Sequence, residues 1–220
     1  MLEALSLGCI RGDRLLFRDV NFSLAPGGLL ELRGPNGGGK TSLLRILCGL
    51  SSPANGEVRW NGTNIRTLRE EYFASLAYVA HLNGVKDEFT ALENLLAAGR
   101  VSGHELSKTE SEATLERVGL INQRHLPTRV LSAGQRRRLT LARLLAIRAK
   151  LWLLDEILTS LDDKGVDLVR RLITGHIDTG GLAIVATHQD LNLSPPGLQT
   201  MNIANPSSND LVERTPALAG

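Results

Sequence analysis

Short runs with strand-like apolar patterning recur early in the chain, at residues 2–7, 15–24, 29–33 and 57–60. Turn residues separate them at Gly12-Asp13, Pro26-Gly27-Gly28 and Asn61-Gly62, the last a strong signal for a tight turn. From Ser42 to Leu50 the apolar spacing becomes helical, with Gly49 as its stop. Residues 90–149 also read as helical. Thr90 followed three residues later by Glu93 has capping-box spacing. The polar stretch 107–118 turns Leu115 and Val118 inward, and 135–147 places Leu139, Ala142, Leu145 and Ala146 on one face. Residues 151–154 and 182–186 are apolar throughout, as in strands of a parallel sheet covered on both faces. A predicted helix over 164–177 joins them into a βαβ unit. After Leu193 the chain turns polar and carries Pro195, Pro196, Pro206 and Pro216, so this tail is expected to be loosely ordered. The sequence holds no internal repeat and no low-complexity tract.

Composition narrows the class. The chain has 220 residues, 42% hydrophobic and 22% charged, which fits one substantial globular domain. Only 4% are aromatic, so packing rests on Leu, Ile, Val and Ala. Twenty-five basic residues against 23 acidic ones give a net charge of +2, which makes no case for nucleic-acid binding. Cys9 and Cys48 belong to no paired-cysteine motif and are expected to be reduced packing residues. The N-terminal residues lack the pattern of a secretory signal, and no apolar run approaches the length of a membrane span, so no direct membrane insertion is expected.

Candidate chemistry begins at Gly34-Pro35-Asn36-Gly37-Gly38-Gly39-Lys40-Thr41, which matches the phosphate-loop pattern G-x-x-x-x-G-K-[ST]. Its glycines let backbone N–H groups turn toward anionic oxygens, and the helix that follows, through Ser42, points its N-terminus at them. Lys40 would reach the β- and γ-phosphates of ATP, and the Thr41 hydroxyl would help hold Mg²⁺. Asp155 and Glu156 follow the apolar run 151–154 directly. There Asp155 would face Mg²⁺ and Glu156 would polarise the attacking water as general base.

At this point the chain, over residues 1–193, resembles the ATP-binding cassette (ABC) ATPases. Leu131-Ser132-Ala133-Gly134-Gln135 looks like that family's signature motif, followed here by Arg136-Arg137-Arg138. Ser160-Leu161-Asp162 resembles its D-loop, and His188 its switch histidine. The resemblance implies an α/β fold, a P-loop NTPase with an antiparallel β-subdomain and an inserted helical subdomain. It implies a RecA-like core at 1–80 and 150–193, a helical subdomain at about 81–149, and a tail at 194–220. It also implies a head-to-tail dimer, in which Ser132, Gly134 and Gln135 of a second copy contact the γ-phosphate bound at this chain's loop. The three arginines are read as helix surface and dimer or partner contacts rather than as a nucleic-acid site.

Within the family the chain is similar to the ATP-binding subunits of haem exporter complexes of cytochrome c maturation. Residues 34–46, 90–95, 131–147, 152–156, 78–81 and 187–191 carry that likeness. The implied role is ATP hydrolysis on the cytoplasmic face of the inner membrane, coupled through integral membrane subunits to haem delivery. An ABC exporter with another cargo, a soluble non-transport ABC ATPase and a module that holds ATP without turnover are the alternatives. Three residues depart from the family pattern. His81 stands where most members carry a glutamine near Mg²⁺; Ile157 replaces the proline after the catalytic glutamate; Arg11 lies where many stack an aromatic on adenine. Loss of the proline is expected to alter loop rigidity rather than chemistry. At Arg11, base stacking is either weaker or replaced by a guanidinium contact.

Overall fold

The computed structural model describes residues 1–80 and 84–203. The predicted ligand His81 and residues 204–220 of the tail lie outside the described residues.

The chain opens with β1 (Leu2–Arg11) and β2 (Arg14–Leu24), paired antiparallel across Gly12-Asp13 as the turn residues require. β3 (Leu29–Arg33) and α1 (Lys40–Leu47) flank the phosphate loop. β4 (Asn55–Trp60) and β5 (Thr63–Asn64) form a second hairpin. Asn61 and Gly62 both have positive φ, at 50° and 81°, which is why this two-residue turn takes Asn-Gly. α2 (Ile65–Leu68), α3 (Glu70–Ser75) and β6 (Leu76–Val79) follow; the apolar pattern predicts none of these short pieces. Then come α4 (Ala91–Val101), α5 (Lys108–Arg117) and α6 (Ala133–Ile147), each begun by a capping box on Thr90, Ser107 and Ser132 respectively. β7 (Leu151–Asp155), α7 (Asp163–Asp178) and β8 (Leu182–Ala186) realise the expected βαβ unit, and β9 (Leu198–Asn202) closes the described chain.

Two sheets result. The antiparallel one has the order β2-β1-β4-β5, and the parallel one β6-β7-β8-β3-β9. The parallel sheet is covered on both faces, and its alternation shows this directly. Leu151, Leu153, Leu182, Ile184 and Ala186 join the core shared with α1 and the antiparallel sheet. Trp152, Leu154, Ala183 and Val185 join the core shared with α4, α5, α6 and α7. Fully buried strands of a parallel sheet read as unbroken apolar runs for this reason. Both cysteines are buried and free, as expected.

The tail corrects one expectation. Residues 198–202, predicted to be loosely ordered, pair in register with β3 from Leu29↔Leu198 to Arg33↔Asn202. Ile203 is buried and its N–H donates to the Arg33 carbonyl at 2.8 Å. β9 therefore reaches the threshold of the phosphate loop.

Candidate functional site

The loop from Gly34 to Thr41 connects the end of β3 to the start of α1, at the C-terminal edge of the parallel sheet. Gly34 has a φ of 136°, and a Cβ there would collide with the carbonyl oxygen of Ile203, so only glycine fits. α1 starts from Gly39, which offers no side-chain cap, and its first turn holds no acidic residue. Its N-terminal N–H groups are thus left for an anion. Lys40 is buried, and its Nζ donates to the carbonyls of Gly34 at 2.7 Å and Pro35 at 3.1 Å, which folds the ammonium back over the loop. A cavity of about 460 Å³ opens here, lined by residues 35–42 of the loop and helix and by Arg11, Arg14 and Leu16 of the β1–β2 hairpin. Arg11 does sit at this mouth, exposed.

Glu156 also lines this cavity. It directly follows β7, whose last residue, Asp155, is 2% exposed and pairs with Ala186 of β8. Glu156 itself has a φ of 51°, and its N–H donates to the Ala186 carbonyl at 2.8 Å. Its Oε1 lies 3.1 Å from Nε2 of His188, which follows β8. Adjacent strand ends thus bring together two residues 32 positions apart. Ile157, in the place of the family's proline, is wholly buried in the core beneath the helices.

Ser132, Gly134 and Gln135 are not among the described residues lining the cavity. They form the start of α6. The Ser132 hydroxyl accepts from the Gln135 N–H at 3.2 Å, and the Gln135 side-chain oxygen accepts from the Ser132 N–H at 2.9 Å. Gly134 faces the D-loop, where a Cβ would lie 3.3 Å from the Ser160 carbonyl oxygen.

Of the three arginines after this motif, Arg136 and Arg138 are partly exposed, but Arg137 is not on the surface that the sequence suggests. Arg138 donates to the Asp162 carboxylate at 3.0 Å; the hydrogen bond from the Gly165 N–H, and then that from Arg138, hold this carboxyl below its usual range. Arg136 donates to the carbonyls of Leu131 and Arg129 at 3.1 and 2.7 Å. Arg137 is 2% exposed and donates to the carbonyls of Asp155, Glu156 and Ile157. Burial lowers the pKa of its guanidinium, and the charges of Asp155 and Glu156 oppose that shift. The signal for this role was present: positions 137, 141 and 144 share a helical face, so Arg137 sits on the apolar stripe of Leu141 and Leu144.

Of the predicted metal ligands within the described residues, Thr41 lines the cavity with its hydroxyl, while Asp155, buried at the end of β7 beside Glu156, is not among the lining residues. Among the described residues no group of three or more His, Cys, Asp or Glu would hold a metal by itself. That sparse set of hard oxygen donors suits Mg²⁺, which keeps several waters and is completed by substrate phosphates.

Comparison with known proteins adds the following. The sequence pattern of the family described as "ABC transporter" matches residues 17–159. A "Cytochrome c biogenesis ATP-binding export protein CcmA" of Nitrosospira multiformis is 50% identical over 202 residues, covering 92% of this chain and 98% of the relative. The protein of the same name from Nitrosomonas europaea is 49% identical over 194 residues, covering 88% and 91%. Among solved structures, a putative ABC transporter ATP-binding protein of Pyrococcus furiosus superposes with a TM-score of 0.81 at 23% identity, covering 93% of this chain and 99% of that one. A dimeric ATP-binding cassette in a post-hydrolysis state, bound to ADP and Pi, superposes with a TM-score of 0.80 at 22% identity, covering 93% and 94%. At these identities the two superpositions establish the fold.

Proposed function

The chain belongs to the ABC transporter family, and from that premise we infer that it is the ATP-hydrolysing subunit of an export complex of cytochrome c biogenesis. The names of its relatives support the biological role, and the cavity at the phosphate loop supports the chemistry. One observation carries the enzymatic reading above the others: Glu156 lines the cavity of the phosphate loop while in contact with His188.

On this reading the loop N–H groups of residues 34–41 and the N-terminus of α1 receive the phosphates of ATP, and Lys40 swings from the loop carbonyls to the β- and γ-oxygens. Thr41 and Asp155 would hold Mg²⁺, which would supply positive charge against the phosphate oxygens. Glu156 takes a proton from the water that attacks the γ-phosphorus, and ADP leaves as the bond to its β-phosphate oxygen breaks. His188 orients the Glu156 carboxylate and donates toward a γ-phosphate oxygen. Ser132, Gly134 and Gln135 lie off the cavity, so they serve the nucleotide of a second copy, and two chains enclose two ATP molecules head to tail. Among the described residues no helix is long and apolar enough to cross a membrane, and the reading assigns the span to separate integral membrane subunits. The chain then works on the cytoplasmic face of the inner membrane, where hydrolysis drives haem delivery.

A haem stain tests the biological half. Deletion of this gene is expected to eliminate covalently haem-bearing c-type cytochromes, with restoration by the intact gene and not by a Lys40→Ala copy. An unchanged set of stained cytochromes in the deletion strain would refute the role in their maturation.

A further inference from the structure

We propose that Arg137 is a positioning residue for ATP hydrolysis, holding the peptide of Glu156 so that its carboxylate faces the nucleotide. The proposal rests on the reading of Glu156 as general base.

Glu156 is not a glycine, yet its φ is 51°, in the left-handed region. That region is sparsely populated by non-glycine residues, and at a buried strand end it is the surroundings that hold the backbone there. On the N-terminal side its N–H is tied to Ala186 of the neighbouring strand at 2.8 Å. On the C-terminal side no strand continues, because β7 ends at Asp155. There the Thr159 N–H donates to the Glu156 carbonyl at 3.2 Å, and the guanidinium of Arg137 adds a second, side-chain restraint on the same oxygen. Its Nη2 donates to the Glu156 carbonyl and, at 3.4 Å, to that of Asp155, while its Nε donates to Ile157 at 3.0 Å. Three consecutive carbonyls are gathered on one side chain, and Nη1 reaches a fourth, that of Ala80 just past β6, at 3.5 Å.

This arrangement needs the planar, multi-donor fork of arginine; an ammonium would serve one or two of these oxygens from a different distance. The site is buried and the group carries a charge, a combination that surface packing alone does not call for. It also occurs where Ile157 stands in place of a proline, so the backbone there lacks a ring to fix its φ. Arg137 lies on the first turns of the same helix that begins with Ser132. The helix that serves the second copy's nucleotide is thereby pinned to the base that serves this chain's own.

The test uses the full chain with Arg137→Lys and Arg137→Gln, each also combined with Glu156→Gln. Turnover is expressed per site that binds fluorescent Mg-ATP, so that loss of folded protein does not register as loss of rate. Both single variants are expected to bind nucleotide within about twofold of wild type, since the phosphate loop is untouched. Their kcat is expected to fall by roughly 10- to 100-fold, the scale on which misplacing a reacting group by about 1 Å acts. In the Glu156→Gln background the Arg137 substitutions are expected to cause no further loss, because residues acting through one group are non-additive. Wild-type kcat in either single variant, or a further tenfold loss in the double variants, overturns the proposal. Retained turnover in Glu156→Gln alone would instead overturn the reading of Glu156 as base, so the two failures are distinct.

Discussion

Glu156 combines three properties at the scale of a single residue: a left-handed backbone, a place in the wall of the phosphate-loop cavity, and a 3.1 Å contact with His188. Such backbone strain costs about 1–3 kcal/mol and concentrates where geometry is functional. If His188 orients this carboxylate, His188→Ala is expected to lower kcat by about tenfold or more while nucleotide affinity stays within about twofold, because only a group placed for the reaction is disturbed. Steady-state hydrolysis beside a nucleotide-binding titration checks this; equal losses in affinity and rate would assign His188 to nucleotide binding alone. Glu156 was legible in the sequence because Asp155 and Glu156 close the apolar run 151–154, and His188 through its resemblance to the family's switch histidine just past the run 182–186. Arg137 was not. Three arginines in a row on a helix look like a solvated face, and the burial of the middle one depends on which way α6 is turned against β7. That rotation is a tertiary fact that local spacing only hints at through Leu141 and Leu144.

At the scale of elements, legibility follows how much of an element's stability is written in its own side chains. β7, β8 and α7 were readable because both sheet faces and the inner helix face are apolar. β9 was not, since residues 198–202 have only two half-buried positions, Leu198 and Met201, and take their order from the backbone of β3. α2, α3 and β6 are four to six residues long, too short to display a period. The anchor of β9 is Ile203, buried where its carbonyl oxygen meets Gly34 of the phosphate loop. Ile203→Ala is therefore expected to destabilise the protein by about 2–5 kcal/mol, the usual cost of truncating a buried isoleucine. Urea unfolding measures it. A change below about 0.5 kcal/mol, typical of surface sites, would show that Ile203 does not anchor β9.

For the whole molecule the decisive arrangement is a division. Phosphate loop, Glu156 and His188 meet at the C-terminal edge of the parallel sheet, while Ser132, Gly134 and Gln135 cap a helix away from the cavity. On the proposed reading these are the two halves of a composite site, which a second copy of the chain closes around ATP. The membrane subunits and the haem pathway rest on the relatives' names; the enzymatic core rests on the geometry. Replacing Glu156 by Gln removes the proposed base and leaves the phosphate loop untouched. Hydrolysis and oligomeric mass of Glu156→Gln in Mg-ATP therefore test the account most directly. The expected result is intact nucleotide binding, a loss of turnover of about 100-fold or more, and accumulation of a dimer. Undiminished turnover, or a chain that remains monomeric with nucleotide bound, would contradict it.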